Sequence, residues 1–267
     1  MDLLRVTSLQ SPNADFFCEM IAAYLGSRMG LHSEWVGDIP WQERSRLLDD
    51  GQIHVGWICG LPYVRRADQA QPTVALLAAP VMRAGRYEDR PIYFSDVVVR
   101  QDSRYAECSD LRGGTWAFNE PGSQSGYMIS RYHLATLGET EGYFGRVVRA
   151  GSHLRALEMI LNGRVDAAAI DSTVLELELA SRPELGKLLR TVEVLGPSPI
   201  PPWVANRGLP VATRTAIRRR FLEMHQDVEG REILSRGQTA RFVWVRDLDY
   251  DPIREMARQA EGVRWEA

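Results

Sequence analysis

Leu195-Gly196-Pro197-Ser198-Pro199-Ile200-Pro201-Pro202-Trp203 is the strongest punctuation in the chain. Its prolines, Pro197, Pro199, Pro201 and Pro202, hold the backbone in extended shapes and withhold amide donors, so no helix runs through them. Upstream, strand-like runs alternate with helical patterns. Leu3 to Leu9 is a strand run, and Phe16, Phe17, Met20, Ile21, Tyr24 and Leu25 then recur at helical spacing up to Gly30. His32 to Val36, Gln42 to Leu48 and Ile53 to Ile58 continue as strand, helix and strand, followed by the loop Cys59-Gly60-Leu61-Pro62-Tyr63. Val74 to Ala79 and Ile92 to Val99 add buried strands. Such alternation predicts βαβ units around a parallel sheet.

After Val99 the pattern starts again, with strands at Thr115 to Asn119, Phe144 to Ala150 and Ala167 to Ile170 and helices at Gly126 to Leu137 and Leu154 to Leu161. Beyond the prolines come helical patterns at Thr213 to Gln226, Val228 to Leu234 and Pro252 to Gln259, with an alternating run at Arg241 to Val245. The proline segment then reads as an extended crossing between lobes. Residues 1–98 and 198–267 are expected to form one α/β lobe with the C-terminal helices, and 99–197 a second. Two crossings make a hinge, and a cleft between such lobes suits a small ligand.

The bulk properties narrow the function. The 267 residues are 45% hydrophobic and 25% charged with a formal net charge of −3, which argues against disorder and against a nucleic-acid partner. Cys18, Cys59 and Cys108 show no short metal-ligand spacing and read as buried thiols. His54, His133 and Glu120 form no His-Glu-x-x-His pattern, and no cofactor is expected. The start Met1-Asp2-Leu3-Leu4-Arg5 passes directly into a strand without the pattern of a secretory leader. The expected location is therefore cytoplasmic if Met1 is native, and periplasmic or lipid-anchored if a leader was removed. No apolar run has membrane-spanning length, so an integral membrane protein is not expected.

The polar loops carry the chemistry. Asn119-Glu120-Pro121-Gly122-Ser123-Gln124-Ser125-Gly126-Tyr127 joins a strand to a helix whose first amides have no internal acceptors, and the helix dipole attracts an anion there. Hydroxyls of Ser123 and Ser125 suit either the anion or simple capping. The segment lacks both Gly-Lys-Ser/Thr and Gly-x-Gly-x-x-Gly, which disfavours a nucleotide-binding loop. His153 follows Gly151-Ser152 at another helix start, and Asp171 ends the strand Ala167-Ala168-Ala169-Ile170. Strand C-termini suit ligand contacts, while Asp171 equally suits a helix cap and His153 an ordinary loop role. Tyr63 and Tyr93 offer a ring and a hydroxyl tip from the other lobe, with packing as the alternative. Ser123 or Ser125, His153 and Asp171 contain the residue types of a hydrolytic triad, but no Gly-x-Ser-x-Gly elbow surrounds either serine.

In order along the chain, Gly56 to Tyr63, Tyr93 to Val99, Asp110 to Gly113, Glu120 to Tyr127, Gly151-Ser152-His153, Val165 to Ser172 and Ser198 to Trp203 resemble the substrate-binding components of phosphate/phosphite/phosphonate ABC transporters, the PhnD-like family. The resemblance implies an α/β, two-lobed type II periplasmic-binding-protein fold with a ligand cleft at the hinge. It implies binding of a small anionic solute, phosphonate or phosphate-like, with an ABC permease or a sensor as partner and no catalysis. It places Tyr63, Tyr93, Ser123, Gln124, Ser125, His153 and Asp171 at the ligand. Gln124 stands where the family commonly has another hydroxyl residue, which puts phosphonate specificity in question. Readings from other classes are a cytosolic enzyme of the same fold acting on a carboxylated metabolite, as in menaquinone-pathway enzymes, and a ligand-sensing regulatory protein.

Overall fold

The structure, a computed structural model, describes residues 1–265. The chain divides into two compact α/β units, Met1–Ile92 with Pro199–Asp251, and Tyr93–Ser198 with the residues from Pro252 onward. The first unit opens with β1 (Leu3–Ser8), α1 (Asp15–Met29), β2 (His32–Trp35), α2 (Trp41–Asp49) and β3 (Val55–Trp57). β1 runs parallel to both β2 and β3. α1 stops where Gly30 adopts φ 65, a left-handed conformation that glycine enters without a Cβ clash, and its N–H caps the carbonyls of Gly26 and Ser27.

The Cys59 to Tyr63 stretch, expected as a loop, winds from Gly60 into α3 (Gly60–Ala67). Pro62 lies within its first turn, where the missing N–H forfeits no intrahelical bond. β4 (Val74–Met82) completes this part of the unit.

In the second unit, β5 (Ile92–Arg100) precedes β6 (Thr115–Phe118), a wide turn over Gln124–Met128, and α4 (Ile129–Thr136). β7 (Arg146–Arg149), α5 (His153–Leu161), β8 (Ala167–Asp171), α6 (Ser172–Ser181) and β9 (Leu189–Pro199) follow. The five-stranded sheet has the order β7-β6-β8-β5-β9. β6 is parallel to β7 and β8, while β5 pairs antiparallel with β8, Asp96 opposite Ile170. That pairing carries residues 93–98 into the second unit, earlier than the boundary expected from the pattern.

β9 also runs into the proline segment. As the last strand of its sheet it tolerates Pro197 and Pro199, whose absent donors would break an interior ladder. The chain then returns to the first unit as β10 (Trp203–Asn206), α7 (Val211–Glu223), α8 (Val228–Arg236) and β11 (Thr239–Val243). β10 enters between β3 and β4 antiparallel to both, and the six-stranded order is β11-β4-β10-β3-β1-β2. Both sheets are thus mixed rather than parallel, because strands arriving from a distant part of the chain are not bound to the parallel sense of a βαβ crossover.

The last helix, α9 (Asp251–Gln259), and the turn after it group with the second unit, not the first as the pattern suggested. The Arg131 guanidinium on α4 donates from Nη2 to the Ala260 carbonyl at 2.9 Å and from Nε to the Val263 carbonyl at 3.0 Å, which explains the attachment. Among the described residues, no helix is long and apolar enough to cross a membrane.

The sheet of the second unit is covered on both faces. Along β8, Ala168 and Ile170 join Ala156, Leu157 and Ile160 of α5, while Ala167 and Ala169 face Trp116, Phe118 and Ile129 on the opposite side. The period of two explains this division, and the alanines let helices approach closely. In the first unit Trp203 is fully buried and stacks on Trp57 with centroids 5.8 Å apart.

Candidate functional site

The candidate turn begins just beyond β6. Ser123 has extended backbone, φ −81 and ψ 131, and its Oγ accepts from the Gly126 amide at 3.0 Å. The capping reading therefore applies to Ser123. The turn itself is wound as a π-helix from Gln124 to Met128, two residues earlier than the expected helix start, and the Ile129 amide donates to the Gln124 carbonyl. Such wider turns are frequent where a helix end serves a function.

Gly126 lies deep in this turn. A Cβ there would overlap the Asn119 Oδ1 and lie 3.1 Å from His153 Cε1. Asn119 opens the Asn119–Tyr127 loop but is not among the ligand residues expected from sequence. Its position after the short strand is the only sequence signal for it. The side chain amide matters because Asn119 Nδ2 sits 3.2 Å from His153 Nε2.

His153 opens α5, whose cap is Ser152, accepting from the Arg155 amide at 3.1 Å. Its Nε2 is also 3.0 Å from Ser125 Oγ, so Asn119, Ser125 and His153 form one buried network. Burial pushes the imidazole down to about 4, opposed by the nearby backbone of Ala169. At pH 7 the ring is neutral. With the Asn119 amide nitrogen donating, Nε2 is the accepting nitrogen and the ring proton resides on Nδ1. The arrangement supplies oriented hydrogen bonds and a helix-terminal dipole, with no fixed positive charge from the histidine.

Gln124 is fully buried, and its Nε2 donates to Ser198 Oγ at 3.4 Å and to Met256 Sδ at 3.2 Å. Its amide group is directed at β9 and α9, so Gln124 anchors the turn from beneath. Asp171 fulfils its capping alternative: Oδ1 accepts from the Thr173 amide at 2.9 Å and from Thr173 Oγ1 at 2.7 Å. Burial raises its carboxyl to about 6, with the Thr173 hydrogen bonds pulling down and nearby Asp96 pushing up.

The tyrosines differ from the expected arrangement. Tyr93 belongs to the second unit, together with the serine turn, and is fully buried on β5. It is not a first-lobe residue, because β5 bonds to β8. Tyr63 does belong to the first unit, but on α3, where its hydroxyl donates to Asp247 Oδ1 at 2.7 Å and its ring meets Tyr250 at 4.8 Å. Ser123, Gln124, Ser125, His153, Asp171 and Tyr93 therefore lie in one unit and Tyr63 in the other. Tyr63→Phe is expected to lower stability by about 2 kcal/mol, the worth of a hydrogen bond to a carboxylate, measured by urea unfolding.

Comparison with known proteins decides the family. A family model described as "ABC transporter, phosphonate, periplasmic substrate-binding protein" matches residues 14–250. The chain belongs to this phosphonate-type substrate-binding family. A curated relative, the phosphonates-binding periplasmic protein of Escherichia coli (strain K12), is 27% identical over 220 residues, covering 80% of this chain and 63% of the relative. The match thus spans less than two thirds of that protein's length.

Two solved structures share the family's fold. A binding protein component of an ABC phosphonate transporter from Pseudomonas aeruginosa superposes with TM-score 0.84 at 17% identity, over 97% of this chain and 86% of the other. PhnD1 from Prochlorococcus marinus (MIT 9301), in complex with methylphosphonate, gives TM-score 0.84 at 18% identity, over 98% and 99% of the two chains. The architecture is the two-lobed α/β, type II periplasmic-binding-protein fold that the ordered motifs implied.

Proposed function

We propose that this chain is a solute-binding protein that captures a small phosphonate- or phosphate-like oxyanion on the Ser123–Gly126 turn and delivers it to an ABC permease. The observation that carries this reading is the 3.0 Å contact between Ser125 Oγ and His153 Nε2 at the opening of a helix. The helix dipole favours a negative group there, and a hydroxyl held by a buried ring is ordered before the ligand arrives. Family membership supports the oxyanion class, and the fold shared with the methylphosphonate complex is consistent with it.

In this reading Asn119 keeps donating to Nε2 of the neutral ring, and the anion draws the Ser125 hydroxyl proton away from that nitrogen. The Ser125 hydroxyl, no longer donating to the ring, then donates to the ligand, while Ser123 keeps the turn capped. Tyr93 is a further proposed contact, and Asp171 is suited to receive the proton-bearing oxygen of a singly protonated phosphonate.

Titration calorimetry with methylphosphonate and with inorganic phosphate tests this function. Each charge-assisted hydrogen bond is worth about 1.5–3 kcal/mol. Ser125→Ala and His153→Gln are accordingly expected to weaken binding about tenfold to a hundredfold. Binding that is equally tight in both variants overturns the assignment, as does failure of either anion to bind the unaltered protein.

A further inference from the structure

The first unit holds a groove of about 550 Å³ that the serine turn does not touch, with walls from α3, β4, α7 and the segment after β11. This is within the range of small-molecule sites, roughly 300–1,000 Å³. Its lining is strongly basic. Arg207, Arg214 and Arg218 all face it, and among the described residues none of the three has a carboxylate partner.

Two of these guanidinium groups are held by backbone oxygens instead. Arg218 donates from Nη2 to the Leu76 carbonyl at 2.8 Å and from Nε to the Leu77 carbonyl at 3.3 Å. Arg214 donates from Nε to the Leu209 carbonyl at 3.1 Å. Carbonyls fix orientation without cancelling charge. Arg214 and Arg218 are moreover four residues apart on α7, so like charges share one helix face, an arrangement that costs helix stability unless an anion lies between them.

Against these cations the lining offers one carboxylate, Asp247, whose Oδ1 already accepts from Tyr63; Arg246 is paired with Asp249 at 3.1 Å. The floor is apolar where Val74 and Leu76 contribute, and Trp244 on the rim is 61% exposed. An exposed indole beside uncompensated guanidinium groups provides a surface for a flat ring next to a seat for negative charge.

We propose that this groove is a second binding site, specific for an organic polyanion that carries an aromatic ring, such as a nucleoside diphosphate. Arg207, Arg214 and Arg218 hold the anionic groups, and Trp244 takes the ring. The site is built wholly within the first unit and does not depend on the oxyanion reading of the serine turn.

Calorimetric titration of the full chain with ADP and with pyrophosphate tests it. ADP is expected to bind one to one and more tightly than pyrophosphate, which has no ring. Replacing Arg207 and Arg214 together by glutamine should weaken both probes at least about tenfold, the loss of one or more charge-assisted bonds. Trp244→Ala should weaken ADP alone, and ADP binding should persist in Ser125→Ala. All these residues except Ser125 lie at the surface of the groove, and circular dichroism checks that each variant is folded. No binding of ADP, equal binding to the arginine double variant, or loss of ADP binding in Ser125→Ala overturns the proposal. The last result would assign the probe to the serine turn while leaving the function of that turn intact.

Discussion

Gly126→Ala is expected to weaken oxyanion binding about tenfold to a hundredfold while the chain remains folded. The new methyl group meets the Asn119 amide oxygen and comes within 3.1 Å of His153 Cε1. Asn119 is a short side chain at the end of β6, so it is displaced before the helix backbone is. Its displacement removes the 3.2 Å contact to His153 Nε2, and the ring loses the partner that orients it toward Ser125. The charge-assisted hydrogen bond from Ser125 to the ligand then goes with it, about 1.5–3 kcal/mol, which is about tenfold to a hundredfold in affinity. Phosphate or methylphosphonate titration of the variant measures this directly. Affinity within a few-fold of the unaltered protein would show that the Asn119–His153 contact plays no part in binding.

The second large effect concerns two buried groups with opposite responses to pH. His153 is pushed from 6.5 to about 4 by burial, and Asp171 is raised from 3.8 to about 6 by the same cause. For His153 the unfolded chain binds the proton more readily, so its contribution is present above pH 6.5 and is lost as pH falls through 4. For Asp171 the folded chain binds the proton more readily, so its contribution is complete below pH 3.8 and is lost as pH rises through 6. Each is worth about 3 kcal/mol, and over most of the interval they cancel. Urea unfolding at a series of pH values should give a shallow profile for the unaltered protein. Asp171→Asn, which keeps the cap oxygen, should become less stable as pH falls from 6.5 to 4, and His153→Gln should become more stable as pH falls from 6 to 3.8. Parallel profiles for all three proteins would contradict both shifts.

Much of this architecture was legible because periodicity reports burial directly. The strands of Leu3 to Ser8 and Ala167 to Asp171 lie where their apolar runs placed them, and the helix patterns of α1, α5 and α8 recur at their expected positions. Pairing partners were less legible. That Ile92–Arg100 bonds to β8, and that Trp203–Asn206 enters between β3 and β4, depends on contacts far apart in sequence that no local pattern encodes. Pro62 concealed α3 because proline signals a break except in a first turn.

The site divides in the same way. Ser123, Ser125 and His153 stand out locally, by their place at helix starts, and the structure brings Ser125 and His153 together. Asn119 joins them only through the fold, since it is 34 residues from His153. Gln124 stands out locally as a bulky amide between two serines, but that its amide reaches Ser198 and Met256, 74 and 132 residues away, depends on the fold. The arginine groove assembles from three separated segments and leaves no compact motif to read.

The π-wound turn of Gln124–Met128 also bears on how such a protein diversifies. A π-turn accommodates one more residue than an α-turn, and it ends before Ile129 and Leu134 present their buried face on α4. Substitutions at the lip of this turn therefore leave the phase of the packed helix untouched. A descendant lineage can exchange the lip residues, proposed to meet the ligand, without repacking the hydrophobic interior. Even the loss of one residue here would tighten the turn to an α-turn while the helix behind it keeps its buried face.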